Sequence, residues 1–260
     1  MKGLVLEGGG ARGAYQIGVV KSLYENGYDF DGFVGTSIGS INAAMLAQGD
    51  FDKALELWSS ISMEQVFYEE ELPILKLADV KKFNINLKST LKECGEAIKR
   101  VVRNKGFHTE KMKGFLEKYI DEDKVRSSDK DFGLVAISLS EQKAYELMLD
   151  DIPEGQLIDY IMASSSVPGF HLETIDGNIF VDGGIYNNCP SNLLIKKGYF
   201  DILAIRLARL HSLLWTDDPK IKYIVPSEKL GNILMFTTDN CASKLELGYS
   251  DGLRYIESQQ

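Results

Sequence analysis

Gly32-Phe33-Val34-Gly35-Thr36-Ser37-Ile38-Gly39 reads as a short apolar strand that runs without a linker into the pattern G-x-S-x-G. Residues 40–47, with Ala43 and Ala44 among them, predict a helix small enough on one side to pack close to a sheet. An equivalent unit precedes it. Lys2-Gly3-Leu4-Val5-Leu6 is a strand, Gly8-Gly9-Gly10-Ala11-Arg12-Gly13 a glycine cluster, and Ile17, Val20 and Leu23 recur at near-helical spacing as far as Asn26-Gly27, which stops a helix. Two strand–helix units in such a short stretch require parallel strands, because parallel neighbours are joined by crossovers. The expected fold class is α/β, with a central, mainly parallel sheet flanked by helices.

Outward from this core, residues 51–126 read as mostly helical, and Leu87, Leu91, Cys94, Ile98 and Val101 form one apolar stripe that closes at Gly106. Strands return at 132–137 and 144–149, followed by a turn region at Ser164-Ser165-Ser166-Val167-Pro168. Thr174-Ile175 and Asn178-Ile179-Phe180-Val181 flank Asp176-Gly177, a hairpin signature. Its second strand delivers Asp182-Gly183-Gly184. Pro190 suits the first turn of a short helix that reaches Lys197 and ends at Gly198, and residues 201–207 give a further strand. Repeats and linkers are lacking, so residues 1–260 are expected to form one domain with a helical, partly basic insertion at about 51–126.

Composition bounds the function. A chain of 260 residues, 44% apolar and 26% charged, excludes disorder as its main state. The net charge of −9 argues against a nucleic-acid partner, whose affinity comes from cationic neutralisation of phosphates. Between Lys76 and Lys113, however, eleven Lys or Arg stand against four acids. Such a balance reads either as solvated helix faces or as a patch that meets anionic lipid headgroups. Cys94, Cys189 and Cys241 are widely spaced and odd in number, which suits reduced thiols and indicates neither a disulfide framework nor a zinc site. Apolar runs fall short of a membrane span, and Glu7 ends Leu4-Val5-Leu6 too early for a signal-peptide core, so a cytoplasmic location is expected.

Gly8, Gly10 and Gly13 satisfy G-x-G-x-x-G between a strand and a helix, which raises a dinucleotide-binding alternative. That reading needs an acid at the far end of the second strand to hold ribose hydroxyls, and the chain has Thr36-Ser37 there. A phosphate-binding P-loop fails because Ala14-Tyr15 follows Gly13. In G-x-S-x-G a sharp strand-to-helix turn projects the serine hydroxyl, so Ser37 is a candidate nucleophile, with a plain helix cap as the alternative. Its base is open at this point. His211 is the one histidine after Asp182 and fits an α/β-hydrolase order; Asp182 leaves a strand at the same kind of address as Ser37 and would need burial to become basic enough.

Three separated blocks, GGGARG at Gly8 to Gly13, GTSIG at Gly35 to Gly39 and DGG at Asp182 to Gly184, stand in the order found in the patatin-like phospholipase family, which the chain resembles over nearly its whole length. Ala163 to Pro168, Asn188-Cys189-Pro190, Ile224 to Ser227 and Leu247-Gly248-Tyr249 look like the corresponding segments of bacterial members. The resemblance implies a three-layer fold and a lipid acyl hydrolase in which Ser37 is the nucleophile, Asp182 its partner in a dyad without histidine, and Gly8, Gly9, Gly10 and Arg12 the oxyanion loop. It implies no metal or cofactor, a lipid or phospholipid substrate, and transient contact with membrane surfaces. Phe67, Leu72, Ile74 and Phe170 are candidate acyl-channel residues, with ordinary core packing as their alternative. After Phe170 many relatives have a further proline, whereas this chain has His171-Leu172 at the pocket lip. A lipid-binding protein without turnover and a nucleotide-binding oxidoreductase are the alternatives from other classes.

Overall fold

A computed structural model describes residues 1–69, 72, 106–208 and 218–259. The opening units form as their sequence dictates: β1 (Lys2–Leu6), α1 (Gly13–Glu25), β2 (Gly32–Thr36) and α2 (Ile38–Ala47). Helices α3 (Phe51–Ser60), α4 (Met63–Val66), α5 (Glu110–Leu116) and α6 (Glu122–Ser127) follow. Next come β3 (Asp131–Ser138), β4 (Lys143–Met148), α7 (Leu157–Ser165), the hairpin β5 (Thr174–Ile175) and β6 (Asn178–Asp182), α8 (Ser191–Lys196), β7 (Asp201–Ile205), β8 (Ile221–Ile224) and α9 (Thr238–Glu257).

The sheet runs β5-β6-β3-β2-β1-β7-β8, with β4 also paired to β3. Its centre, β3-β2-β1-β7-β8, is parallel throughout, whereas β4 and β6 pair with β3 antiparallel and β5 pairs with β6 antiparallel. Side chains alternate between two covered faces. Leu4, Leu6, Phe33, Leu134, Ala136, Leu203 and Ile205 enter the larger core, while Val5, Val34, Val135, Ile202 and Ala204 enter a second core closed by Leu193 and Leu194 of α8. This period of two, buried on both sides, explains why the strands read as continuous apolar runs and gives three layers.

Four elements differ from the sequence reading. Helix α2 starts at Ile38, directly after the serine and not at about residue 40. Of the stretch expected as a turn, Ser164 and Ser165 still belong to α7, whose apolar residues Leu157, Ile161 and Met162 are buried, while Ser166 to Pro168 lie beyond its end. The strand β8 and the 20-residue helix α9 were not anticipated. Helix α9 buries Cys241, Lys244, Gly248, Asp251, Gly252 and Ile256, a stripe of mostly small and polar residues that apolar periodicity does not register. It crosses α1 at close range: a Cβ on Gly18 would strike the Leu245 carbonyl, and one on Gly248 the Tyr15 carbonyl.

The Leu87 to Val101 stripe, the basic residues from Lys76 to Lys105, Cys94, Ile74 and His211 lie outside the described residues. Cys189 and Cys241 are free thiols. Among the described residues no helix is long and apolar enough to cross a membrane. Gly114, inside α5, has nothing within 4 Å of where a Cβ would stand. Gly114→Ala is therefore expected to stabilise the protein by about 0.5–1 kcal/mol through a less flexible unfolded chain, read as a higher urea midpoint at unchanged slope.

Candidate active site

Strand register brings the candidate residues together. Leu6 pairs with Gly35 on one side and Ile205 on the other, so β1, β2 and β7 end level and Glu7, Thr36 and Arg206 leave the sheet side by side. One edge of β3 carries β2 up to Thr36 opposite Val135, and the next residue of β3, Ala136, faces Asp182 of β6. The last residue of β6 thus abuts the end of β2, although 145 positions separate Ser37 from Asp182 in the chain. The edge concerned is the carboxyl end of the parallel strands, where open α/β sheets bind ligands.

Ser37 occupies φ 56° and ψ −130°, a conformation that costs a non-glycine residue of the order of 1–3 kcal/mol. Its neighbours make the turn feasible. A Cβ on Gly35 would collide with the Gly39 backbone, and one on Gly39 with the Leu6 carbonyl oxygen, so α2 could not leave β2 so closely with other residues. The Ser37 N–H donates to Ser164 Oγ at 2.9 Å, while its carbonyl accepts from the Ser40 N–H and hydroxyl at 2.8 and 2.7 Å. Ser37 is 6% exposed and Asp182 5%.

The Asp182 carboxylate accepts from the Gly184 N–H at 2.6 Å, and the Ser37 hydroxyl lies near enough to pull its pKa down. Its own N–H donates to Ser166 O at 2.9 Å, tying it to the end of α7. Burial pushes its pKa up to about 6, against the opposing pull of the Ser37 hydroxyl and the Gly184 N–H. An ordinary surface aspartate would be a far weaker base.

The glycine cluster lies against this pair. A Cβ on Gly8 would approach both Thr36 O and the Ser37 Cβ, so the absent side chain is what lets the loop lie on the serine. The Gly8 N–H donates to Asn188 O at 3.1 Å and is committed there. Gly10 has φ +57°, and a Cβ on it would strike the Ile233 carbonyl, which also accepts the Ala11 N–H at 2.7 Å. Arg12 donates through Nε and Nη2 to Gly231 O at 2.9 and 2.7 Å, bracing the loop against the segment before α9.

Behind the loop is a polar network that the sequence reading missed. Glu7, 3% exposed, pairs with Arg206 at 2.9 Å and accepts from the N–H groups of Leu207 and Ala208 and from Asn188 Nδ2. Asn188 Nδ2 also donates to Gly8 O at 3.1 Å. Burial pushes the Glu7 carboxyl up, while Arg206 and the three N–H donors pull it down. An acid between an apolar strand and a glycine loop was the available sign, since such a carboxylate is buried only when paired.

Phe67 and Phe170, proposed for an acyl channel, join Phe107 and Phe236 in an aromatic cluster, and Leu72 packs against the larger core. An apolar cavity of about 20 Å³ touches Ile38 and Ile41 of α2, room for about one water molecule rather than an acyl chain. A hollow of about 690 Å³ lies between α3 and α5, and its lining contains neither Ser37 nor Asp182. His108 and His171 face each other, ring centroids 4.4 Å apart, and neither contributes to the Asp182 shift.

Residues 4–195 match the model of a family described as patatin-like phospholipase. The chain belongs to the patatin-like phospholipase family. A similar curated protein is the rat patatin-like phospholipase domain-containing protein 7, 25% identical over 205 residues, a match that covers 78% of this chain and 13% of that protein. An uncharacterised NTE family protein of Mycobacterium bovis is 27% identical over 215 residues, covering 80% of this chain and 30% of the relative. The chain thus spans a minor part of the curated relatives it matches. Among solved structures, VipD from Legionella pneumophila shares the fold with a TM-score of 0.59 at 16% identity, over 99% of this chain and 67% of that one.

Proposed function

We propose that this member of the patatin-like phospholipase family is a serine acyl hydrolase that cleaves fatty-acyl esters of lipids or phospholipids through a Ser37–Asp182 dyad. The observation that carries the reading is a conformationally strained serine buried beside an aspartate of raised basicity. Asp182 takes the hydroxyl proton as Ser37 Oγ attacks the ester carbonyl carbon. The carbonyl electrons move onto oxygen, and the oxyanion rests on the N–H groups of Gly9 and Gly10, with Gly8 supplying close approach. Protonated Asp182 then gives its proton to the departing alcohol oxygen. In the second half Asp182 takes a proton from water, whose oxygen attacks the acyl-serine; the tetrahedral adduct collapses to fatty acid, and the proton returns to Ser37. No metal or cofactor takes part in these steps. Arg12 steadies the loop through Gly231 O.

Basic residues between Lys76 and Lys113 would bring the protein transiently to anionic lipid surfaces, where its substrates are concentrated. The test is to incubate the protein with phospholipid and lysophospholipid vesicles and quantify released fatty acid by mass spectrometry. Fatty acid and the deacylated lipid in equal amounts are expected; bound lipid without release would instead identify a binding protein. Because Asp182 works as the ionised base, kcat/KM should be level above about pH 6 and fall about tenfold per pH unit below it. An ascending limb centred near 4 would contradict the assigned base.

A further inference from the structure

We infer that His108, Glu110 and His171 form a zinc site that clasps residues 108–110 to the segment leading from α7 to the β5–β6 hairpin. One ligand atom from each lies within 4.8 Å of the other two, and His108 Nδ1 stands 3.6 Å from Glu110 Oε2. Tetrahedral zinc with bonds of about 2.0–2.1 Å needs ligand atoms roughly 3.3–3.5 Å apart, so small rotations of the side chains close the site. Two imidazoles and a carboxylate suit zinc, whereas magnesium and calcium favour oxygen donors alone. Three protein ligands leave one position for water.

The backbone beneath is fixed. Phe107 and Phe170 form a parallel bridge, in which the Phe107 N–H donates to Gly169 O and the His171 N–H to Phe107 O, each at 2.7 Å. Gly106 lets the two segments approach, since a Cβ there would crowd the Gly169 and Phe170 carbonyls. Glu110 begins α5, and the Thr109 hydroxyl before it donates to Glu173 at 3.1 Å. The three ligands therefore project from a scaffold set by other interactions, and their partial exposure keeps the desolvation cost of binding low. Among the described residues the two thiols are poor competitors: burial pushes the Cys189 thiol up to about 12 and the Cys241 thiol up to about 11.

Equilibrium dialysis of the full chain against micromolar ZnCl2 tests the site independently of lipid hydrolysis. Wild type is expected to hold about one zinc per chain, with a thermal midpoint that rises with zinc concentration. His108→Ala and His171→Ala should lose both effects, Glu110→Gln should bind at least about tenfold more weakly, and Cys94→Ser and His211→Ala should match wild type. His171→Asn, its fold checked by circular dichroism, repeats the test should the alanine variant not fold. No zinc on wild type, undiminished zinc on the histidine variants, or loss of zinc from Cys94→Ser or His211→Ala would overturn the assignment.

Discussion

Asp182→Asn is expected to lower kcat/KM for ester hydrolysis by about 10²- to 10⁴-fold, the range lost with a positioned general base, while leaving the fold at least as stable as wild type at pH 8. Asparagine has nearly the same shape, and its Oδ1 can still accept from the Gly184 N–H, but it cannot take a proton from Ser37. The stability half follows from linkage. Burial raises the Asp182 pKa from 3.8 to about 6, so the native state binds this proton more tightly than the unfolded chain does. Wild-type stability contributed by this group is therefore greatest below about pH 4, falls as pH rises to about 6, and is level above that; two pKa units correspond to about 3 kcal/mol. The variant, lacking the charge, should show no such decline. Parallel loss of activity and of stability at pH 8 would mean that Asp182 holds the structure rather than the proton.

Gly39→Ala is expected to cost about 3 kcal/mol or more, the upper end of overpacking penalties, and to lower the thermal midpoint by roughly 6–12 °C. The added Cβ would press on the Leu6 carbonyl oxygen, a main-chain atom of a central strand, and no flexible side chain can yield there. Relief requires α2 to move away from β1, which displaces Ser37 at its first turn. Hydrolysis should therefore fall further than the unfolded fraction explains. By contrast, Gly114→Ala meets open space, so the pair of substitutions separates packing from helix propensity. A fully active, fully stable Gly39→Ala protein would show that the elbow does not need its tight geometry.

Much of the candidate site's local structure was legible in the sequence because its parts obey local rules. The apolar run before G-x-S-x-G is β2, the Asp176-Gly177 hairpin delivers Asp182, and both carry their polar residue off a strand end. That Ser37 and Asp182 meet was not local information. It depends on β6 continuing the edge of β3 where β2 stops, a pairing that no motif encodes. The Glu7–Arg206 pair likewise follows from the level ends of β1 and β7. Helix α9 escaped because its buried stripe is made of glycine, lysine, aspartate and cysteine as well as Ile256, chosen by close approach to α1 rather than by hydrophobicity. The commitment of the Gly8 N–H to Asn188 O was equally hidden from the sequence, since that bond is tertiary.

The chain has only three histidines, so a histidine-free protein can be made with His108, His171 and His211 all replaced by asparagine. The most direct measurement is the rate at which a fluorophosphonate modifies Ser37, followed by peptide mass spectrometry, in this protein, in wild type and in Asp182→Asn. With circular dichroism confirming the fold, the histidine-free protein should react at Ser37 within about threefold of the wild-type rate, and Asp182→Asn should react at least about a hundredfold more slowly. Loss of labelling without histidine, or undiminished labelling without the Asp182 carboxylate, would contradict a serine activated by aspartate alone.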